Sequence, residues 1–313
     1  MEKMKAVICT KYGPPEVLQM KEVEKPTPKD NEVLIKIHST AVTASDIFIR
    51  SSQVSILQFI PMRIMMGLTK PRRSIIGIVL AGEIEKTGKN IKRFKTGDQV
   101  YGLTGWGLGT YAEYKCMNEN DSKYGCLAIK PANISFDEAT VAAYGGLLAL
   151  QFLGKGNIKQ GQKVLIYGAS GTSGTIAIQL AKDLGARVTG VCSTTNLEFV
   201  KSLGADEVID YTKVDSLVPG VEYDFILDAV GNRKTSKLKD ACKKALAPGG
   251  KYVSIDDGNL LLESSRLNTI KELIEARRIK PIIDKSYTFE NIVEAHRYVE
   301  RGHKKGGVVI NVK

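Results

Sequence analysis

The stretch with the plainest chemical capacity is Gly168-Ala169-Ser170-Gly171-Thr172-Ser173-Gly174. Its glycines follow a G-x-x-G-x-x-G spacing, a shifted variant of the dinucleotide fingerprint. The turn directly follows the apolar run Val164-Leu165-Ile166-Tyr167 and opens a segment of helical character. Glycines there let the backbone turn tightly and approach a pyrophosphate. The free N–H groups and the positive end of the next helix then stabilise its charge. The strand–turn–helix setting, more than the spacing alone, favours dinucleotide binding over an empty Gly-rich turn. The second strand of such a unit would end at Cys192, followed by Ser193-Thr194-Thr195-Asn196. An NAD site usually places Asp or Glu here, about twenty residues past the glycines, to hold the ribose 2′-OH. None precedes Glu198. A carboxylate would repel a 2′-phosphate, so its absence, with Ser193, Thr194 and Asn196 as donors, favours NADPH, with NADH weaker. Tyr211 is a further candidate phosphate contact or a surface aromatic.

The elements that must position this turn fall into two kinds. The first third reads as short strands: Glu32 to His38, Ile75 to Glu85, Gln99 to Gly102 and Thr110 to Cys116, with Gly turns between. That pattern predicts a compact β-rich barrel. The character changes near Pro131. Ser135 offers an N-cap with Asp137 and Glu138 in the first turn, and a helix from Asp137 to Leu153 follows. Strands and helices then alternate. Strands are expected at 163–167, 187–192, 207–210, 223–229 and 251–255, helices at 172–184, 197–203 and 268–276. This predicts a parallel sheet wound with helices. The chain closes with a helix over 292–300 and a strand over 307–312.

The 313 residues suffice for about two domains. With 43% hydrophobic and 25% charged residues, a sizeable core is buried and bulk disorder is excluded. The net charge of +11 is scattered. No basic stripe with interleaved aromatics appears, which argues against a nucleic-acid partner. Five cysteines without a C-x-x-C pair argue against a disulfide framework and for a reducing, cytoplasmic setting. No apolar stretch reaches membrane-spanning length, and the N-terminus carries no secretory apolar region.

The chain resembles the medium-chain dehydrogenase/reductase superfamily, in its zinc-independent quinone oxidoreductase and enoyl reductase branch. The carrying residues are Met4 to Val7, Tyr12-Gly13-Pro14-Pro15-Glu16-Val17-Leu18, Asp46 to Arg50 and Gly97 to Gly102. The glycine turn, Leu203 to Asp206, Asp228-Ala229-Val230-Gly231, Pro248 to Lys251 and Glu294 to Arg297 complete them. The resemblance implies an α/β chain with a GroES-like β-rich catalytic domain from 1–125 and 270–313. A Rossmann doubly wound parallel sheet over 126–269 would sit between, with Val230 and Gly231 on its cofactor side. Beyond Gly258 only Asn259 to Arg266 precede the last Rossmann helix. Relatives often insert here a stretch whose sixth strand pairs between subunits, so the sheet is expected to hold five strands, which counts against a homodimer by that pairing.

Zinc-dependent relatives carry Cys where this chain has Thr43, a His-Glu pair where it has Ile78-Val79, and a third ligand near Tyr144. No borderline-soft ligand stands at any of the three, so no metal is expected. His38, His296 and His303 lie elsewhere and read as surface or packing residues. Without a Lewis acid the substrate must be electrophilic already. Quinones and α,β-unsaturated carbonyls qualify, leaving the protein to position them and to hydrogen-bond a developing oxyanion. Thr43 and Tyr144 are the candidate catalytic donors, each with a packing alternative, and Asp46 is expected to hold the loop or Arg50. Residues 56–68 read either as an apolar wall over the substrate or as core. The expected activity is NADPH-dependent reduction of such substrates. The alternatives are a cofactor-binding protein without robust turnover and a zinc-type alcohol dehydrogenase. A short-chain dehydrogenase is opposed by the placement of Tyr111 and Lys115, ahead of the glycine turn and on a strand.

Overall fold

The structure, a computed structural model, describes residues 2–51, 66–233 and 236–312. The sequence-predicted wall over 56–68 lies for the most part outside them. The chain opens with an antiparallel pair, β1 (Lys3–Cys9) and β2 (Leu18–Glu24). β3 (Glu32–Ala41) is then the hub of a seven-stranded sheet. It pairs with β4 (Val79–Thr87), with β6 (Tyr114–Asn118) and with β14 (Gly307–Asn311). β5 (Gln99–Leu103) and β7 (Cys126–Ile129) extend it one way, and β13 (Ile283–Thr288) the other. The pairing of β7 with β5 carries this sheet four residues beyond 125. The first helix, α1 (Ala44–Ser51), leaves the end of β3 almost at once.

The second sheet has five parallel strands in the order β10 (Glu207–Asp210), β9 (Arg187–Cys192), β8 (Lys163–Tyr167), β11 (Tyr223–Asp228), β12 (Leu246–Ser254). Val164, Leu165 and Ile166 are all fully buried. That continuous apolar run is what a strand covered on both faces requires. Among the described residues the sheet has five strands, as the short link after Gly258 predicts. β8 is where the strand order reverses, and ligands of such sheets sit outside the carboxyl ends at that reversal. The covering helices include α4 (Thr172–Asp183), α5 (Leu197–Ser202) and α6 (Lys237–Lys244).

The two sheets share one apolar cluster, running from Val79 and Leu103 through Leu147 and Phe152 to Ile166 and Ile176. The helical run over 136–154 bridges them. It starts as α2 (Phe136–Val141) with the capping box of Ser135 and Glu138, and ends as α3 (Leu147–Gly154). Between them Ala142–Gly146 form one turn of π-helix, which the sequence pattern does not reveal. Single π turns of this kind occur mostly where a helix must present a group to a site. Two helices finish the fold, α7 (Ser264–Glu275) and α8 (Ile292–Arg301). The extended start of α7 and the strand β13 are additions to the sequence expectation. β13 alternates weakly and none of its residues is fully buried, so it gives little periodic signal.

Candidate active site and dinucleotide cradle

The glycine turn leaves the carboxyl end of β8 with Gly168 at φ +82°. A Cβ on Gly174 would stand 2.2 Å from the Gly168 carbonyl oxygen, so only glycine lets α4 start this close to the strand. The N-cap of α4 is Gly171, which has no side chain to close the first turn. The helix therefore presents uncapped N–H groups and its positive end, as an anion requires. Ala169 and Ser173 are buried in the turn. Val230 packs over it, since a Cβ on Gly168 would meet Val230 Cγ2 at 2.5 Å. Val230 and Gly231 donate their backbone N–H groups to Asp228 Oδ1, both at 3.1 Å, and Lys239 pairs with Asp228 Oδ2 at 2.6 Å. This buried pair holds the loop after β11 beside the turn.

The last segment of the chain clasps the same turn. Gly306 N–H donates to the Ser170 carbonyl at 2.8 Å, and the Thr172 hydroxyl donates to the Gly306 carbonyl at 2.9 Å. The Lys304 ammonium donates to the Thr172 hydroxyl and to the Gly306 carbonyl. Among the described residues no carboxylate forms a salt bridge with it. Burial pushes Lys304 down to about 8, against the pull of Asp284. A poorly solvated cation at an open helix N-terminus is a fit for a phosphate group. The sequence shows Lys304 only as one of two lysines near the chain end, and nothing in its spacing marks it.

On the adenosine side, Asn196 is buried and donates to Ser170 Oγ at 3.1 Å, while its Oδ1 has no partner. Ser193 is buried, and its hydroxyl stands 3.4 Å from that of Thr195. Tyr211 follows β10 and its ring lies 6.5 Å from that of Tyr167. Thr194 is turned elsewhere, because its hydroxyl donates to Asp210 Oδ2. β10 pairs with β9 so that Asp210 lies opposite Cys192, which places a carboxylate that the local sequence lacks. Hydrogen bonds from Thr194 and Thr212, winning over burial, hold Asp210 below the usual carboxylate range.

The other wall comes from α1 and the π turn. Thr43 caps α1: its N–H donates to Asp46 Oδ2 at 2.8 Å, its hydroxyl lies 2.6 Å from that oxygen, and Asp46 N–H donates to Thr43 Oγ1 at 3.2 Å. Asp46 thus holds the loop, and Arg50 is held by other groups. The Tyr144 hydroxyl stands 3.3 Å from Ser45 Oγ. The neighbouring Gly145 lies against the turn, since a Cβ there would be 2.6 Å from the Thr172 carbonyl. Val42 N–H bonds to Val308, two residues from the Gly306 clasp. Thr43, Ser45 and Tyr144 are therefore brought to the mouth of the dinucleotide cradle.

The comparisons agree with this arrangement. Residues 29–128 match the family described as Alcohol dehydrogenase GroES-like domain, and residues 174–274 and 258–310 match families described as Zinc-binding dehydrogenase. The chain is 31% identical over 369 residues to the human NAD(P)H oxidoreductase RTN4IP1, mitochondrial, covering 99% of this chain and 89% of that protein. It is 31% identical over 328 residues to the 2-methylene-furan-3-one reductase of Solanum lycopersicum, with 98% and 79% covered. The quinone oxidoreductase structure from Coxiella burnetii superposes with a TM-score of 0.83 over 100% of both chains at 25% identity. The chain belongs to the medium-chain dehydrogenase/reductase superfamily, in its quinone oxidoreductase branch.

For a member of that superfamily the donor set beside the cradle is unusual for zinc. It offers the hydroxyls of Thr43, Ser45 and Tyr144, and the buried hydrocarbon of Ile78 and Val79, just before and at the start of β4. Zn²⁺ takes thiolate, imidazole or carboxylate. The one carboxylate, Asp46, is committed to Thr43. Among the described residues no group of three or more His, Cys, Asp or Glu is placed to hold a metal ion. His38 stacks on Phe136 with ring centres 4.4 Å apart, and His296 is fully buried behind α1. Tyr111 is buried and Lys115 lies on β6, so they form no helical pair.

Proposed function

We propose that this oxidoreductase reduces quinones or α,β-unsaturated carbonyls with NADPH, without zinc. The observation that carries the reading is the join of an uncapped, lysine-flanked cradle with a wall of hydroxyls and hydrocarbon. Gly168 to Gly174, Lys304, Val230 and Gly231 would hold the pyrophosphate and nicotinamide half. Ser193, Asn196 and Tyr211 would hold the 2′-phosphate, with NADH bound more weakly; the Asp210 carboxylate beside Thr194 opposes that preference, and its charge is already met by the Thr194 and Thr212 hydroxyls. When bound, the reduced nicotinamide supplies hydride. Thr43 and Tyr144 donate hydrogen bonds to the substrate oxygen, where negative charge collects. Conjugation spreads that charge over the substrate, which replaces Lewis-acid assistance.

In this reading residues 1–125 and 270–313 form the substrate side, joined by β7, and 126–269 the dinucleotide side. All five cysteines are free thiols, which supports a reducing compartment such as the cytoplasm. Among the described residues no helix is long and apolar enough to cross a membrane. The test is a fluorescence titration with NADPH and NADH, then turnover of a quinone and an enone in chelator-treated buffer. NADPH is expected to bind about tenfold tighter, with turnover unaffected by chelation. Equal binding of NADH overturns the 2′-phosphate assignment, and loss of turnover with zinc stoichiometrically removed overturns the metal-free one.

A further inference from the structure

Behind Thr43 lies a closed polar chain that the proposed function leaves unused. Asp46 is fully buried, and its Oδ1 has no hydrogen-bond partner. Tyr111, also fully buried, faces Asp46, and its Oη lies 3.0 Å from Nε2 of the fully buried His296. Arg50 Nε donates to His296 Nδ1 at 3.2 Å, which fixes the imidazole with its proton on Nε2, donated to Tyr111. The Arg50 guanidinium is spent on Glu300 and on the Gly13 carbonyl. It is therefore turned away from the carboxyl that α1 places one turn earlier. A buried carboxylate with an orphaned oxygen and no cation bonded to it is costly, whereas a neutral carboxyl is not.

We infer that Asp46 stores a proton and delivers it through the Thr43 hydroxyl to the substrate oxygen, an inference that rests on the proposed function. The geometry supplies the reason. When Asp46 is ionised, the Thr43 hydroxyl donates to Oδ2 and has nothing left for a substrate. When Asp46 is neutral, Oδ2–H donates across the 2.6 Å contact to Thr43 Oγ1. Thr43 Oγ1 already accepts from Asp46 N–H. Both its acceptor sites are then filled, and its own proton must point outward. Hydride adds to the conjugated carbon of the substrate, and the π electron pair ends on the carbonyl oxygen. That oxygen takes the Thr43 proton, Thr43 takes the Asp46 proton, and Asp46 is left as carboxylate. Water restores its proton when product leaves, and an enol product becomes the ketone in solution.

The titration of this store is set by its surroundings. Burial pushes Asp46 up to about 7, against the Thr43 hydroxyl and N–H and the nearby Tyr111 hydroxyl, whose own hydrogen bonds go to His296 and the Ala41 carbonyl. From α8, His296 is held neutral, pushed down to about 3 by burial and by Arg50. From β1, burial raises the Cys9 thiol to about 11, and burial raises Tyr111 well above its ordinary value. Glu300 is paired with Arg50. Asp46 is thus the group of this cluster that changes charge near neutrality. The neutral, donating form is present below its folded value and lost above it.

The experiment uses NADPH with 3-buten-2-one and with 1,4-benzoquinone. For the unaltered protein, kcat on butenone is expected to fall tenfold per pH unit above about pH 7, with a solvent deuterium effect. Asp46→Asn should keep NADPH affinity within about twofold, lower kcat on butenone by about 100-fold, and erase the pH limb. Benzoquinone should suffer far less, because its reduced anion is weakly basic and carries its charge unprotonated. Thr43→Val should reproduce the pattern and Thr43→Ser should reverse it. Equal losses on both substrates, or a limb that persists in Asp46→Asn, overturn the assignment and leave the proposed function standing. An unaltered protein that binds no NADPH overturns both.

Discussion

The two walls of the cleft are built on different principles. The cradle is made mostly of backbone: N–H groups of the glycine turn, the positive end of α4 and the loop after β11. The opposite wall is made of side chains gathered from far apart, with Thr43 capping α1, Ser45 and Asp46 on that helix, Tyr144 on the π turn, Tyr111 before β6 and His296 on α8. A backbone site tolerates side-chain change but not change of path. A side-chain site tolerates modest path change but loses function atom by atom. The lesson is that identical substitutions, measured on the two walls, should fail in different observables.

The largest expected effect tests the backbone half. Gly174→Val sets side-chain carbon against the Gly168 carbonyl, where even a Cβ would stand at 2.2 Å. It should abolish measurable NADPH binding, a loss of about 100-fold or more, and lower the melting temperature. Gly171→Ala has only the Gly168 oxygen near, at 3.4 Å, and should bind within about threefold of the parent. If the two behave alike, the cradle is not held by path. Next comes the one long side chain on this wall. Lys304→Met should weaken NADPH about tenfold, roughly 1.4 kcal/mol, with Lys304→Arg restoring most of it. Because burial depresses Lys304 to about 8, its charge is lost as pH rises through that value. Affinity of the unaltered protein should therefore fall above about pH 8, while that of the Met variant stays level. A Met variant with unchanged affinity would remove Lys304 from the site. The smallest effect belongs to the other wall. Tyr144→Phe should lower kcat about fivefold, by loss of one hydrogen bond, and leave NADPH affinity unchanged. A change in cofactor affinity instead would place Tyr144 on the wrong side of the comparison.

Asp46 links pH to stability as well as to turnover. Its folded value lies above that of an unfolded aspartate, so its contribution is full at low pH and lost as pH rises through about 7.

The five-stranded sheet was legible because β8, β9 and β11 are local, strongly apolar runs, although β12 starts at Leu246, five residues ahead of the expected 251. β8, β9 and β10 have the bounds that the alternation predicts, and the count of five strands among the described residues follows from the short link after Gly258. β13 was not legible, since none of its residues is fully buried and they owe their strand form to β14. The π turn left no trace in a run whose apolar spacing suits a plain helix. Asp210 was missed at the adenosine side because strand pairing, not chain order, sets it beside Thr194.

Sequence alone determined the glycine turn and the two kinds of sheet, which depend on residue type and short-range spacing that the chain carries in order. Its resemblance to zinc-dependent relatives marked the hydroxyl and hydrocarbon residues that stand where their ligands do. Tertiary structure decided that Lys304 guards the turn, that Thr43 leans on Asp46, and that Tyr111, His296 and Arg50 close behind them. Such contacts join residues up to 250 positions apart, as between Arg50 and Glu300, and arise only when packing of whole elements brings their polar ends into one dry space.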